Sequence, residues 1–287
     1  MKTIPVILSI LLMSFFSITL SGQNKAQTAG EIIKLIIEKT GCKPIPGTVD
    51  VIKEGDPETQ VTGIATCMFA TMDVLKKAVD IGCNLIIVHE PIYYNHEDNT
   101  KNLQADPVFK EKKQFITDHK LVIWRFHDYI HSIQPDAILS GMVRKLKWKE
   151  YVVNNHFDQF DLPETTLKGL LENLKLTFPK TTFSVIGNPE MKLIHVRLAP
   201  GAPGTSYHLK LLADKNVDVV IGGESPQWET YEYIRDAVIQ GKNKAVIFIG
   251  HIPSEESGMD FCADWLKQFI TSVPIAFIEC GPSYWTF

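Results

Sequence analysis

Three histidines each stand at the end of an apolar run: His89 after Leu85-Ile86-Ile87-Val88, His127 after Leu121 through Phe126, and His251 after Ala245 through Gly250. Each has a second donor group close by. Glu90 is beside His89, His131 is four residues after His127, and Glu255 is four residues after His251. Four imidazoles and two carboxylates suit Zn, Mn, Fe or Co, and no thiolate belongs to the set. A single catalytic zinc takes three protein ligands, so six donors are better divided between two divalent ions. Two ions can activate water and steady both the attacking and the leaving oxygen of a displacement, which makes hydrolysis the expected chemistry.

Taken singly, each pair meets an obstacle. His127 and His131 face one way only in a helix, and His89 and Glu90 point apart unless the chain bends before Pro91. Pro253 bars an ordinary helix interior between His251 and Glu255, leaving Ser254 to cap a helix that starts at Glu255. The same arrangement nevertheless recurs at three run ends. In α/β sheets that is where loops converge on a ligand.

The elements that must position these residues follow from periodicity. Strands are expected at Val49–Ile52, Val61–Thr66, Asn84–Val88, Leu121–Phe126, Phe183–Ile186, Leu193–Leu198, Val217–Ile221, Ala245–Ile249 and Ile275–Ile278. Helices are expected at Ala29–Thr40, Met72–Ile81, Pro107–His119, Asp136–Trp148, Thr166–Leu176, Tyr207–Lys215, Trp228–Ile239 and Gly258–Thr271. Continuous apolar strands separated by helices imply sheets covered on both faces. The expected class is α/β, with two related halves, about 23–150 and 164–287, on either side of a polar stretch from Glu150 to Pro163.

The 287 residues are 45% hydrophobic and 22% charged with a net charge of −4, which excludes a disordered chain and a polytopic membrane protein. No cationic excess is available for a duplex, so the expected partner is a small-molecule substrate and not a nucleic acid. Residues 1–22 combine Lys2, an uncharged run from Ile4 to Leu20 and small residues at Ser21 and Gly22, the layout of a signal peptide. The mature protein is expected in the periplasm or secreted, without a stable membrane anchor. The five cysteines are scattered, lack a CxxC and have apolar neighbours, as buried small hydrophobes do.

Three segments resemble one family, the NGG-interacting-factor-three-like proteins, also called GTP cyclohydrolase I type 2 homologues. Ala78–Pro91 (AVDIGCNLIIVHEP) resembles the family's strand ending in His-His-Pro. Arg125–His131 (RFHDYIH) resembles its His followed four later by Asp, and Gly250–Gly258 (GHIPSEESG) its Gly-His, Ser-Glu and Gly. The likeness runs from about Gly30 to Pro282. It implies intertwined three-layer α/β/α halves with a dinuclear metal site between them at the strand C-termini. The implied ligands are His89, Glu90, His127, His131, His251 and Glu255. Glu90 replaces the family's second His and His131 its Asp, a reciprocal exchange that keeps the donor totals and leaves Glu90 or Glu255 to bridge the ions. Ile221-Gly222-Gly223-Glu224 resembles the strand that ends beside the metals, making Glu224 a partner of the ligands or a general base. Trp228 stands where the family has a His and would be a flat wall for a substrate ring or merely a helix start. The resemblance also implies a homo-oligomer, with six subunits as the family's ring. The expected function is an exported dinuclear metal-dependent hydrolase of phosphoester or C–N bonds. The alternatives are a metal-binding or assembly protein without turnover, and a member that has lost its metals. GTP itself is not expected outside the cytoplasm. Pro200–Ser206 lacks the Gly-Lys-Ser/Thr ending of a phosphate loop, and His96, His119, His156, His195 and His208 are assigned no role.

Overall fold

A computed structural model describes residues 27–286; the expected signal peptide, residues 1–22, lies outside them. Thr28 and Glu31 cap each other's backbone to start α1 (Ala29–Thr40), which Gly41 ends at positive φ. Next come β1 (Ile52–Glu54), β2 (Ile64–Cys67), α2 (Met72–Asp80), β3 (Leu85–Val88), α3 (Pro107–Asp118) and β4 (Val122–Arg125). After the short α4 (Asp128–His131) come α5 (Ala137–Leu146), β5 (Val152–Val153), β6 (His156–Thr166), α6 (Leu167–Thr177), β7 (Ser184–Ile186) and β8 (Lys192–Ala199). The chain continues through α7 (Thr205–Ala213), β9 (Val219–Gly222), α8 (Glu232–Ile239), β10 (Ala245–Phe248), α9 (His251–Leu266) and β11 (Ile275–Phe277).

The strands form two sheets, ordered β1-β4-β3-β2-β11 and β5-β6-β8-β9-β10-β7. β2, β3, β4 and β11 are mutually parallel, as are β8, β9 and β10, while β1, β6 and β7 run antiparallel to the strands they join. Every residue of β2, β3, β4, β9 and β10 is buried, which is why, Thr66 and Arg125 apart, they read as apolar runs. On the first sheet, Leu85, Ile87, Val122 and Trp124 pack under α1, α5 and α9, while Ala65, Ile86, Val88 and Ile123 pack under α2 and α3. The second sheet lies likewise between α5 and α6 on one face and α7 and α8 on the other. The architecture is mixed α/β with helices on both faces of each sheet. Among the described residues no helix is long and apolar enough to cross a membrane, and all five cysteines are free, three of them buried.

Three local readings change. The polar stretch Glu150–Pro163 is mostly strand: β6 buries Phe157, Phe160 and Leu162 and turns polar residues outward. A strand wetted on one face reads as polar, and its antiparallel register with β8 shifts between Asp161 and Thr165, which breaks the alternation. The strand expected at Val49–Ile52 pairs only from Ile52, because Asp50 is turned toward α4. The helix expected from Gly258 starts at His251 instead. Pro253 falls in its first turn, where the missing N–H has no intrahelical partner to lose.

β11 closes the first sheet beside β2, so the end of the chain returns to the sheet that its beginning built. α5 and α9 cross where each presents a glycine. A Cβ on Gly141 would lie 2.2 Å from the Ser257 carbonyl oxygen, and one on Gly258 2.5 Å from Ile138 Cα. Backbone cannot move aside as a side chain can. Gly258→Ala is therefore expected to destabilise the protein by about 1–3 kcal/mol. The readout is a lowered denaturant midpoint with an unchanged slope; an unmoved midpoint would mean the helices are not held in backbone contact.

Candidate metal centre

β3 ends at Val88, and the chain bends at His89-Glu90 as it meets Pro91. Backbone hydrogen bonds from His89 N to Cys67 O (3.2 Å) and from Glu90 N to Met68 O (3.0 Å) fix that bend, which frees the two side chains from opposite faces. His89 is fully buried, with Nδ1 3.2 Å from the Phe126 carbonyl. A carbonyl only accepts, so Nδ1 carries the proton and Nε2 keeps its lone pair. Burial pushes the imidazole's pKa down to about 4, leaving it neutral at ordinary pH. Its Nε2 has no hydrogen-bond partner.

α4 has only four residues and cannot sustain itself. Asp50, 5% exposed, does so from the loop before β1. Its Oδ1 accepts from the N–H of His127 (2.8 Å) and of Asp128 (3.0 Å), and its Oδ2 from that of Tyr129 (2.8 Å). Burial raises its pKa despite these three donors. Asp128 Oδ1 lies 3.0 Å from His127 Nδ1, while Thr48 and Val49 donate to Oδ2. Asp136 Oδ2 lies 2.8 Å from His131 Nδ1, while its Oδ1 caps α5 by accepting from Ile138 and Leu139. Burial lowers the His131 pKa, but the Asp136 hydrogen bond and charge outweigh it and hold the imidazole above its ordinary value.

Gly250, at φ 92°, turns the chain from β10 into α9 and puts His251 and Glu255 one helical turn apart. Glu224 Oε1, from the loop after β9, lies 3.0 Å from His251 Nδ1. His251 Nε2 lies 3.2 Å from both Glu90 Oε1 and Glu255 Oε2. Burial alone would lower the His251 pKa; the carboxylates of Glu224, Glu255 and Glu90 push it up to about 12. Burial would raise the Glu90 carboxyl, but the hydrogen bond to His251 and the charges of His89, His251 and His127 hold it at about 2. The Pro200–Ser206 loop presses on the same place: a Cβ on Gly201 would lie 2.3 Å from Glu255 Oε1. The Gly201 N–H donates to Ser254 Oγ at 2.9 Å.

All six residues singled out from sequence meet. The rings of His89 and His127 stack at 4.7 Å, and His131 stands edge-on 5.3 Å from each. Donor atoms of His89, His127 and His131 lie within 4.8 Å of one another, as do those of His89, Glu90 and Glu255. Glu255 Oε2 is 3.6 Å from His89 Nε2. Every imidazole has Nδ1 tied to an oxygen, of Phe126, Asp128, Asp136 or Glu224, which turns Nε2 toward the cluster; that of His251 meets Glu90 Oε1 there, and a cation would take the place of its proton. A cation would satisfy two buried atoms of the cluster that make no hydrogen bond, His89 Nε2 and Glu255 Oε2. The buried His and Glu group therefore fits a metal ion in donor type, tautomer and convergence.

Glu224 sits outside the cluster as the oxygen partner of His251. Trp228 is 77% exposed at the start of a π-helical turn, Gln227–Tyr231, the helix-start alternative of the two open to it. Sequence reading missed Asp50, Asp128, Asp136 and Arg125. Arg125 is fully buried and donates to the His89 carbonyl at 3.2 Å, to the His96 carbonyl, and to Glu90 Oε2 at 3.3 Å. An arginine inside an otherwise apolar run, Leu121–Phe126, was the signal for it; an aspartate just before α5 was the signal for Asp136.

Asp136→Asn keeps the capping oxygen but can set an amide donor against His131 Nδ1. Metal affinity is expected to fall about 10-fold or more with little change in thermal midpoint. Unchanged affinity in a metal titration would show that the Asp136 pair does not orient His131.

The Duf34/NIF3 (NGG1p interacting factor 3) family model matches residues 49–283. A Clostridium acetobutylicum protein named GTP cyclohydrolase 1 type 2 homolog is 26% identical over 212 residues, 70% of this chain and 75% of that one. A hypothetical protein of Staphylococcus aureus has a similar structure, with a TM-score of 0.71 and 14% identity over 91% of this chain and 99% of its own. A Bacillus cereus protein related to NIF3 also aligns at 0.71, with 14% identity over 92% and 100% of the two chains. With the family model spanning most of its length, the chain belongs to the Duf34/NIF3 family.

Proposed function

We propose that the protein is a metal-dependent hydrolase, exported from the cytoplasm and acting as a homo-oligomer, in which the cluster binds two divalent ions, zinc, manganese or iron. The observation that supports it most is that four imidazoles with anchored Nδ1 atoms turn toward two buried carboxylates, while His89 Nε2 and Glu255 Oε2 make no hydrogen bond. When bound, such a pair of ions would lower the pKa of water and stabilise the negative charge that develops on phosphoryl or carbonyl oxygen.

The chain's own residues divide the remaining tasks. His89, His127 and His131 would make one set of ligands; Glu90 and Glu255 converge with His89 as a second, and His251 Nε2, 3.2 Å from both carboxylates, would complete it, with Glu255 placed between His89 and His251. Arg125 holds Glu90 through Oε2 and leaves its Oε1 toward His251. Glu224 keeps the His251 proton on Nδ1 and lines the larger of two cavities beside the cluster, where it is the candidate proton acceptor.

His251→Ala is expected to abolish metal-dependent turnover of a panel of phosphoesters, nucleotides and amides, and to lower the metal content of the purified protein. Metal retained with no turnover of any panel member would replace hydrolysis by metal storage or assembly. Wild-type protein that takes up no zinc, manganese or iron would remove the site altogether.

A further inference from the structure

The two cavities beside the cluster share Phe69, His251, Ile252 and Ser283. The smaller, about 690 Å³, has the size of a small-molecule site. Its lining includes Glu90 and His251, the apolar Phe69, Met72 and Tyr94, and, away from the cluster, the buried ammonium of Lys112 of α3. The Phe69 ring stands edge-on 6.0 Å from that of His251, so the apolar wall abuts the metal ligands.

Lys112 is only 5% exposed. Its ammonium donates to the Ile92 carbonyl at 2.7 Å and lies 5.7 Å and 5.5 Å from the Tyr93 and Tyr94 ring centres. An ammonium has three donors, and a single protein acceptor takes one of them. Asp98, whose charge reaches it, is already paired with Lys53 at 3.2 Å and with Arg125 at 3.8 Å. A buried cation without its own counter-ion costs free energy unless something else supplies the negative charge. Burial pushes its pKa down to about 8, as expected for an ammonium that lacks a partner anion.

We propose that this cavity binds a small anionic substrate with an apolar, ring-sized body, its carboxylate or phosphate held by Lys112 and its reacting bond turned toward Glu90 and His251. The reacting end rests on the metal-dependent hydrolysis proposed above; the anion end does not. Lys112 is then a specificity residue, selecting for charge at one end of the cavity, while Phe69 and Tyr94 flank the body of the substrate.

The test compares benzoate with benzamide, its neutral analogue of similar shape, by ligand-observed NMR on the zinc-loaded full chain and again after chelation. Wild-type protein is expected to prefer benzoate by roughly ten-fold, the worth of one charge-assisted hydrogen bond, with and without metal. Lys112→Met should bind both about equally, and Lys112→Arg should keep the preference. Equal affinities in the wild type, or a preference undiminished in Lys112→Met, would overturn the proposal. A preference that vanishes on chelation would assign the anion to the metal and overturn it too. Should Lys112→Met not fold, the Lys112 εCH2 resonance of wild-type protein, assigned by its absence in Lys112→Arg, decides: it should move with benzoate and not with benzamide, and an unmoved resonance overturns the proposal. Because the chelated arm needs no metal, failure of the hydrolase reading would leave the benzoate preference in place, so the two failures can be told apart.

Discussion

An imidazole has two nitrogens, and this centre depends on one of them being spoken for. Each of the four histidines gives Nδ1 to an oxygen whose position is set by something else: a strand-end carbonyl for His89, a helix-capping aspartate for His131, the first aspartate of α4 for His127 and a glutamate just after β9 for His251. Those contacts choose the tautomer and the ring plane together. Asp50 lies one layer further out. Without its three backbone acceptances α4 has no means of holding a single turn, and His127 and His131 would not share a direction.

The cluster also brings several charges into a region with little water. Arg125 sits wholly inside the molecule, yet its guanidinium is shared between Glu90 and two carbonyls, so neither it nor Glu90 is an isolated ion. The same arginine joins the ligand pair at the end of β3 to the loop that carries His96, and Asp98 extends that link to Lys53. Removing the guanidinium would leave a buried carboxylate exposed to the full cost of desolvation, typically several kcal/mol.

The residues of the candidate metal centre were legible in sequence because a polar residue that ends a buried parallel strand stands out against an apolar run. His89, His127 and His251 do so, and Glu90, His131 and Glu255 follow at spacings that a bend or one helical turn can serve. The residues that orient them were not legible, since nothing local distinguishes Asp50 from any loop acid until the fold carries it to α4. Parallel central strands were found for the same reason as the ligands. β6 was missed because a strand wetted on one face and interrupted in register resembles a linker, and the start of α9 because a proline in a first turn was weighed as though it lay in a helix interior. Lys112 lies on an amphipathic helix among other lysines, and only the packing of α3 separates the buried one from those in solvent.

The pairing of β11 with β2 joins Ile275 to Ile64 across most of the chain, and the last ligand-bearing turn, at the head of α9, comes shortly before it. Such non-local closure is slow relative to helix formation. During synthesis the early members of the cluster, His89, Glu90, His127 and His131, would emerge long before His251 and Glu255. A nascent or half-folded chain would thus offer a cation an incomplete grip, and tight capture would mark the moment at which the polypeptide has finished closing on itself.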